Sequence, residues 1–552
     1  MGKRLTKVMD LVFDRWDTAR GDLDFRRDVY KTDYMQILGQ DIGAKKPWGA
    51  QVNSQHTHAQ VLTLVSFLQA GLLPTYPWLY CEANEPFRDI EPRGTEEFNR
   101  QLRNLGYYRF QLMWLRMAAS LGLSVAKLYW SGTNPAFKLV HPGNIVWQRG
   151  ASNLRFDAEW VIEESNRMTY AQLAREANSG AGGWIKKNVL ALDGERDSET
   201  AVEEQEEIRR PQTMESDTED RRIVLHNMTT PRSIVTVHMD SKIVVRVVPN
   251  ALGYINYYDM TVFPENFEID GYSIPELGRD TQDEINTTLR QKIDISSLCA
   301  NPMMTMTRNS GIDPYGQTSK PGKIWLVNNH DDIKPFNLVD TSQNLLAHLA
   351  FLMQDYDRLT GVMPMTRGEQ GKAMKATVAS IIHSNVNTRF AVTMNMLQDY
   401  PIRPIMDDFM HLASLMEQPQ AITKAEWDVV RMVIDQGDMW MVPHAEAYVG
   451  NAVEKFQLLN QFLPIIAQIA KPEAIAEIVK EMLTLLQIRD PEKVTAGIVG
   501  NMAPDPVTGG GGQVTPGAMQ PSEGMGRGVG LREEMARGQF PGQAAMGREV
   551  PA

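Results

Sequence analysis

The sequence from residue 273 to residue 302 constrains the fold most, because it predicts a long helix with a well-marked start. Ser273 is a candidate N-cap, Glu276 completes a capping box, and Pro275 stands in the first turn, where its missing N–H costs nothing. The Ala-Asn-Pro run at residues 300–302 ends the helix. Its apolar side chains lie four or eight residues apart and form one narrow stripe: Leu277, Ile285, Leu289 and Ile293. So narrow a stripe favours packing against other helices, although a surface helix of a large domain fits the same pattern.

The size and composition of the chain bound the class of protein. A chain of 552 residues with 43% hydrophobic residues can bury a large core, which we expect to be split among about three or four lobes. The two cysteines, Cys81 and Cys299, are far apart in sequence and argue for a reducing compartment rather than a disulfide framework. The longest apolar run, residues 462–470, is too short to span a bilayer, so we predict no membrane partner.

The net charge of −12 restricts how the protein can meet nucleic acid. With 68 acidic and 56 basic residues, the chain has the wrong sign for holding DNA by neutralising its phosphates. The same charge suits a surface past which DNA must slide. The most acidic run, residues 193–222, has almost no aromatic or β-branched residues and cannot bury enough apolar area to stay ordered by itself. We predict a mobile insertion there, with a cation-binding loop as the alternative.

Motifs that carry chemistry are missing from the sequence. It has no P-loop for a nucleotide, no Cys/His spacing for zinc and no Gly-x-Ser-x-Gly elbow for a nucleophile. The acidic pairs Asp283–Glu284 and Asp407–Asp408 fall at adjacent helical positions, so their carboxylates should point apart rather than converge on a metal. We therefore predict no enzymatic activity, no cofactor and no metal site, although a site assembled from distant residues would escape such motifs.

Periodicity along the first half of the chain predicts helices followed by strands, an α+β arrangement. One or two helices are predicted at residues 5–38, and one each at 54–70 and 95–120. Strands are predicted at 125–130, on both sides of a turn at Pro142-Gly143, at 223–248 and at 254–263. The last of these should continue the sheet of the strands before it. Thr169 is a candidate N-cap of a short helix.

The second half of the chain alternates helices with punctuated segments. Residues 303–339 are turn-rich and strand-like, which predicts a compact lobe between two helices. The predicted helices are 341–359, which a glycine-punctuated loop follows from Gly361, then 376–416, kinked or interrupted at Pro401 and Pro404, and finally 453–498. The glycine- and proline-rich end of the chain should be a flexible tail.

Three groups of residues resemble the tailed-bacteriophage portal proteins, the head-to-tail connectors. One group matches the segment that enters the portal stem: Phe267, Gly271, Ser273, Asp280, Gln282, Asn286, Asn301 and Pro302. Another matches the portal wing: Val140, Pro142, Asp157, Ala158, Val161, Ile162, Met168, Thr169 and Leu173. The third matches the portal clip: Pro321, Gly322 and Ile324. The resemblance covers residues 95–500 and depends on the order of the elements more than on identity.

The resemblance implies a portal-like ring subunit with a defined order of domains. N-terminal helices and a wing α/β domain would occupy residues 1–270, with the mobile acidic insertion at 193–222. The implied later domains are a first stem helix at 271–300, a clip at 301–340, a second stem helix at 341–360, a tunnel loop at 361–375, a long kinked helix and wing at 376–450, a helical crown at 451–501 and a flexible tail at 502–552.

The resemblance also implies a function. Portal proteins form a dodecameric ring at one capsid vertex of the virion, assembled in the host cytoplasm, and double-stranded DNA passes through the ring. The implied partners are other copies of the chain, the terminase packaging motor, the major capsid and scaffold proteins, and tail adaptors. The alternative hypothesis is another virion structural protein, such as a tail adaptor; a metal-dependent nuclease or motor subunit lacks its motifs.

Two sets of residues become candidates for this function. The apolar stripe Leu277, Ile285, Leu289 and Ile293 would form the stem interface between copies. The cationic residues Arg367, Lys372 and Lys375 would stand on the tunnel loop and touch DNA phosphates transiently.

Overall fold

In the computed structural model the chain divides into two units, residues 1–451 and residues 452–552. The structure describes residues 2–40, 49–74, 76–132, 134–192, 222–266, 268–300, 304–308, 331, 333–335, 339–362 and 390–443 in the first unit. In the second unit it describes residues 475, 478 and 479, which are helical. All the elements named below belong to the first unit.

The described part of the first unit begins with a helix and ends with a strand. The helices are α1 (Gly2–Ile37), α2 (His56–Leu72), α3 (Glu91–Asn104), α4 (Tyr107–Leu121), α5 (Tyr170–Ser179), α6 (Lys186–Leu190), α7 (Ile274–Leu277), α8 (Arg279–Ala300), α9 (Ser342–Thr360), α10 (390–397), α11 (Arg403–Ser414) and α12 (Lys424–Gln436). One or two helices are predicted at the start of the chain, and the structure has one, α1. None of the helices in the described ranges is long and apolar enough to cross a membrane.

The strands form two larger sheets and three strand pairs. The strands are β1 (Leu79–Ala83), β2 (Ser124–Ser131), β3 (Asn134–Val140), β4 (Ile145–Trp147), β5 (Val161–Thr169), β6 (Arg222–Thr229), β7 (Ser233–His238), β8 (Ile243–Pro249), β9 (Tyr257–Met260), β10 (Phe263–Pro264), β11 (Gly271–Tyr272), β12 (Met304–Met306), β13 (Ile333–Pro335) and β14 (Met439–Pro443). Five strands lie in the order β4-β5-β6-β7-β8 and three in the order β3-β2-β9. The pairs are β1-β14, β10-β11 and β12-β13, all antiparallel. The α+β class is confirmed.

The largest apolar cluster joins the helices to the three-stranded sheet. It contains the fully buried side chains of Phe98, Tyr107, Trp114, Phe409 and Trp427, which come from α3, α4, α11 and α12. A second cluster packs α1 against the five-stranded sheet. A small separate cluster holds α5 and α6 against the opposite end of β5, β6 and β8. The fold therefore has a helical hub, and the strands of both larger sheets lie between α4 and α7 in the chain order.

One sequence prediction about sheet membership is wrong. Residues 137–147 form two strands as predicted; β3 and β4 belong to different sheets, and a tight turn at Pro142–Asn144 separates them. The strand at 257–260 does not continue the five-stranded sheet: β9 pairs with β2, with Met260 opposite Ser124. The outer edge of β8, which β9 would have had to join, is occupied by residue 185 instead: the Ile185 N–H donates to the Val245 carbonyl at 2.8 Å.

The predicted helix at 95–120 is also wrong as a single element. Gly106 has φ +69°, a left-handed conformation that glycine adopts without a Cβ penalty, and it separates α3 from α4. Tyr108, the second residue of α4, is 45% exposed. By contrast, the predicted N-cap at Thr169 is confirmed as a full capping box with Gln172.

The proline interruption of the predicted long helix at 376–416 is confirmed. Pro401 lies inside a π-helical turn, Gln398–Ile402, between α10 and α11, because proline has no N–H to donate to the preceding turn. Pro404 stands in the first turn of α11, where it causes no kink. The part of that helix before residue 390 lies outside the described residues.

Several predicted segments lie outside the described residues. They are the acidic insertion except for its last residue, the tunnel loop after Val362, most of the clip, nearly all of the crown, and the tail. Of the clip, the structure describes the strand pair β12-β13, in which Thr305 faces Lys334. Phe267, Asn301 and Pro302 of the stem-entry group are likewise not described.

Candidate functional site at the paired helices

The predicted long helix from residue 274 is two helices, broken at Gly278. Ser273 is confirmed as the N-cap, since its hydroxyl accepts the Glu276 N–H at 2.9 Å. Gly278 then separates α7 from α8, and the ring of Tyr356 from α9 lies directly against it. A Cβ atom at residue 278 would lie 1.6 Å from Cε2 of Tyr356. The absence of a side chain at this one position lets α9 approach the start of α8.

The helices α8 and α9 pack against each other as an antiparallel pair. Gly278, just before α8, contacts Tyr356 near the end of α9, whereas Glu284 lies six residues further along and pairs with His348, earlier in α9. The distance from His348 Nε2 to Glu284 Oε1 is 3.0 Å. Two helices that the sequence placed on either side of a small lobe are therefore direct neighbours.

A buried hydrogen-bond network fixes the first half of α8 to the start of α2 and to the segment just before it. The Gln282 carbonyl Oε1 accepts both the Thr57 hydroxyl at 2.9 Å and the Thr57 N–H at 3.2 Å. The Gln282 amide donates to the Ser54 carbonyl at 2.9 Å and to Asn286 Oδ1 at 3.1 Å. Asn286 Oδ1 also accepts the Ser54 N–H at 2.8 Å. Gln282 and Asn286 are two residues of the stem-entry group. Their side-chain amides make these buried hydrogen bonds, which is the physical reason for an amide at each of the two positions.

The network continues into α9. The Tyr356 hydroxyl lies 3.0 Å from Thr57 Oγ1, and the Thr360 hydroxyl donates to Gln60 Oε1 at 3.1 Å. Asp357 Oδ1 accepts a hydrogen bond from the Gln60 amide and lies 3.2 Å from His56 Nε2. A fully satisfied buried network of this kind holds its helices in one arrangement. The start of α8 and the end of α9, which we call their inner ends, are thereby locked to α2 and to each other.

A buried carboxylate on α1 clamps the start of this helix pair. Asp33 is fully buried, accepts the Ser273 hydroxyl at 2.6 Å, and accepts an N–H of Arg279 at 2.6 Å. Burial raises the pKa of Asp33 to about 6, even though the bonds from Ser273 and Arg279 favour its ionised form. Sequence analysis missed Asp33, because it lies 240 positions from Ser273 and nothing near it in the sequence marks it out.

The Asp33 clamp makes part of the stability depend on pH. The folded pKa of about 6 lies above the ordinary value of 3.8, so the folded state holds the proton more tightly than the unfolded state. The stability that comes from protonated Asp33 is fully present below pH 3.8 and is lost as the pH rises through about 6. An Asp33→Asn variant, which cannot ionise, should therefore gain stability relative to the native chain between pH 4 and pH 6. Urea denaturation of both proteins at several pH values measures this difference, and a difference that is constant with pH would refute the shift.

The four residues of the predicted interface stripe do not share one environment. Ile285 is completely buried in the core of its own subunit, so its side chain has no surface left for a neighbour. Leu289 is half-buried and packs against that same core. Leu277 and Ile293 are half-buried. The stem-interface prediction therefore stays open for Leu277, Leu289 and Ile293 only.

The outer halves of the paired helices extend away from the core. Beyond Thr288 no residue of α8 is buried, and none is buried in α9 before Leu349. Large apolar side chains nevertheless occur there: Leu298 is 41% exposed and Leu346 is 50% exposed. The strand pair β12-β13 lies in the chain directly between these two outer halves.

The acidic pair at residues 407 and 408 points in two directions, as predicted. Asp407 accepts the Met441 N–H at 3.0 Å, which stabilises β14. Asp408 forms two bonds with Arg155, at 2.7 and 3.1 Å, and accepts the Tyr258 hydroxyl at 2.5 Å. In the described ranges, no three His, Cys, Asp or Glu side chains come together as metal ligands would.

The predicted DNA-contacting residues Arg367, Lys372 and Lys375 lie outside the described residues. The structure does show where their segment begins. Gly361 has φ +78° and ends α9 with a left-handed cap, as its position after the helix predicted. Val362, the last described residue before the segment, is buried in the helical hub.

Comparison with known protein families decides which class of protein has this architecture. The family model described as the phage SU10 portal protein matches residues 123–520, which is most of the chain. The chain belongs to this portal family. A search of curated proteins found no match. The portal protein is thus a component of the tailed-phage virion, the head-tail connector at the capsid, and it acts in DNA packaging.

The family match covers most of the elements described above. It begins at Leu123, immediately before β2, and includes both larger sheets, the paired helices and the hub helices α10, α11 and α12. Helices α1 to α4 precede the matched residues, although Asp33, Ser54 and Thr57 from this region hold the paired helices. The match favours the portal hypothesis over a tail adaptor or a nuclease.

Proposed function

We propose that the portal protein assembles as a dodecameric ring at one vertex of the capsid, with an axial channel through which double-stranded DNA is packaged and ejected. The ring would dock the terminase motor during packaging and tail adaptors afterwards, and would contact the major capsid and scaffold proteins while it assembles in the host cytoplasm. Its role is structural rather than enzymatic. Membership of the portal family supports the portal function in this proposal.

The observation that carries the ring proposal is the form of the helix pair. The inner halves of α8 and α9 are locked into the subunit by buried hydrogen bonds, whereas the outer halves leave the core with apolar residues still exposed. Apolar side chains on a projecting helix pair gain stability when a neighbouring copy covers them. We assign the pair to the stem and β12-β13 to the clip. The interface is heterologous, so a ring closes by rotation.

Electrostatics explain how such a channel would let DNA move. Every copy carries a net charge of −12, so a duplex inside the ring meets a mainly repulsive wall. Arg367, Lys372 and Lys375 on the proposed tunnel loop would then be local cationic contacts, each weak and screened by salt. Such contacts steady DNA or retain it against leakage, because tight neutralisation of phosphates would stop it from sliding.

Electron microscopy of the purified protein tests the function, since a ring with a central hole supports it and a monomer refutes it. The Ile293→Asp variant tests the stem. Ile293 lies beyond the part of α8 that is buried in its own subunit. A charge there should cost about 2 kcal/mol or more at each interface without unfolding the subunit. Sedimentation velocity should therefore show folded subunits in place of rings.

The matched control for the stem variant is Gln291→Asp, on the exposed side of the same helix. It introduces the same charge two positions away and should leave the rings intact. Rings of native stability in Ile293→Asp would contradict the stem interface. Loss of rings in both variants would show that charge on α8, rather than the apolar stripe, controls assembly.

A further inference from the structure

The exposed side of α4 is cationic and aromatic, although the chain as a whole is acidic. The helix contains Arg109 and Arg116 and has no Asp, Glu or Lys. Both arginines are exposed, as are Tyr108 and Met113, whose side chains are 45% and 44% exposed. These positions fall within one broad side of the helix. No part of the ring proposal above uses this surface.

The same surface continues onto α3 and the loop before β1. The Arg103 guanidinium lies 5.9 Å from the centre of the Tyr76 ring, which is 48% exposed. The Tyr76 ring is 5.8 Å from the Trp78 ring, and Trp78 is 6.2 Å from Tyr108. We call the surface of Arg103, Arg109, Arg116, Tyr76 and Tyr108 the arginine–tyrosine face. Among the described residues, none of its three guanidinium groups has a carboxylate partner.

The composition of the arginine–tyrosine face indicates the chemistry of its ligand. Exposed guanidinium groups without carboxylate partners favour a ligand with several carboxylates or phosphates. Arginine and tyrosine without lysine are the residues that anchor protein–protein interfaces. Nucleic acid is the less favoured ligand, since a chain of net charge −12 repels a long phosphate backbone around any single patch. An acidic polypeptide is the ligand that fits both the charge and the aromatic rings.

We propose that the arginine–tyrosine face binds the acidic segment, residues 203–220, of the neighbouring copy in the ring. This segment has eight carboxylates and two arginines, so its charge is complementary to the face. The inference rests on the proposed ring, because it needs an adjacent copy. It gives a role to the acidic insertion, which the portal assignment leaves without one.

The position of the segment's ends favours the neighbouring copy over the same copy. The chain leaves the described structure after Leu192 and returns at Arg222. Leu192 and Ile223 belong to the small cluster around α5 and α6, whereas Tyr107 of α4 belongs to the helical hub. The ten residues between Leu192 and Glu203 can extend at most about 35 Å, so the acidic segment is not confined to the cluster from which it leaves.

Chemical cross-linking tests which copy supplies the segment. The test protein carries Gln205→Cys and Met113→Cys in a Cys299→Ser background, which leaves only the buried native Cys81. A bismaleimide should join these cysteines between copies of the ring and give covalent dimers and higher species on a denaturing gel. The matched control combines Gln205→Cys with Met432→Cys on α12, because Met432 is also 44% exposed, and it should cross-link at least about tenfold less. Cross-links within single copies only, or equal yields for both pairs, would overturn the proposal.

Charge reversal tests the chemistry independently of the cross-link. Arg109→Glu with Arg116→Glu should raise the concentration at which rings dissociate by about tenfold, and the matched pair Lys424→Glu with Arg431→Glu, at the same spacing on α12, should not. Changing Glu203, Glu204, Glu206 and Glu207 to Lys in the first variant should restore the ring and its cross-linking. Failure of this charge swap to restore either would overturn the inference. The inference would also be overturned if the Arg109→Glu, Arg116→Glu variant formed normal rings but no longer bound a DNA duplex. A native chain that forms no ring refutes the proposed function itself, whereas native rings with no cross-link refute only this inference.

Discussion

Replacing Gly278 by alanine should destabilise the subunit by about 2–4 kcal/mol, because the new methyl group has no space. Its Cβ would lie 1.6 Å from Cε2 and 2.2 Å from Cζ of Tyr356. Tyr356 cannot easily move aside, since it is fully buried and its hydroxyl is bonded to Thr57 at 3.0 Å. The ring must leave its site or α8 must separate from α9. Urea denaturation of the purified variant should show a lower midpoint.

Gly21→Ala is the control for this prediction. Gly21 lies in α1, and a Cβ atom built there has no neighbour within 4 Å. Because alanine favours a helix over glycine, this change should stabilise the subunit by about 0.5–1 kcal/mol. Opposite signs for the two Gly→Ala variants are expected. Equal effects would mean that the contact with Tyr356 does not explain the glycine at 278.

Replacing Glu163 by glutamine should lower the free energy of unfolding by about 3–5 kcal/mol, because two largely buried ammonium groups would lose their counter-charge. Glu163 of β5 is buried and bonded to Lys127 at 2.7 Å, to the Tyr257 hydroxyl at 2.7 Å, and to Lys138. Burial alone would raise the pKa of this carboxyl group, but the two ammonium groups outweigh burial and hold the pKa well below its ordinary value of 4.5.

The pH dependence of the Glu163 contribution follows from the sign of this shift. The folded pKa is lower than the unfolded one, so the stability is fully present above pH 4.5 and is lost only as the pH falls toward the folded pKa. Urea denaturation of Glu163→Gln at pH 7 should therefore show the full loss. Adding Lys127→Met and Lys138→Met to that variant should recover most of it, since no charge then stays buried. A triple variant as unstable as Glu163→Gln would contradict the ion-pair explanation.

Elements set by neighbours within a few residues were predictable from the sequence. Ser273 and Thr169 were identified as N-caps because a cap needs only the next three residues, and both caps are present in the structure. The interruption at Pro401 and the helix end at Gly361 were predictable for the same reason. The resemblance to portal proteins is confirmed by the family match over residues 123–520.

Sheet order and burial depended on partners far away along the chain, and so only the tertiary structure decided them. The alternation of residues 254–263 predicts a strand but not its partner, which is β2 rather than β8. The break at Gly278 exists because of Tyr356, and the clamp on Ser273 comes from Asp33, 240 positions earlier. Helical spacing placed Ile285 and Ile293 on one stripe, yet only Ile285 lies in the core, because Ile293 comes after Thr288, the last buried residue of α8. A periodic pattern shows which side of a helix is apolar; what packs against each turn of that side is a property of the whole fold.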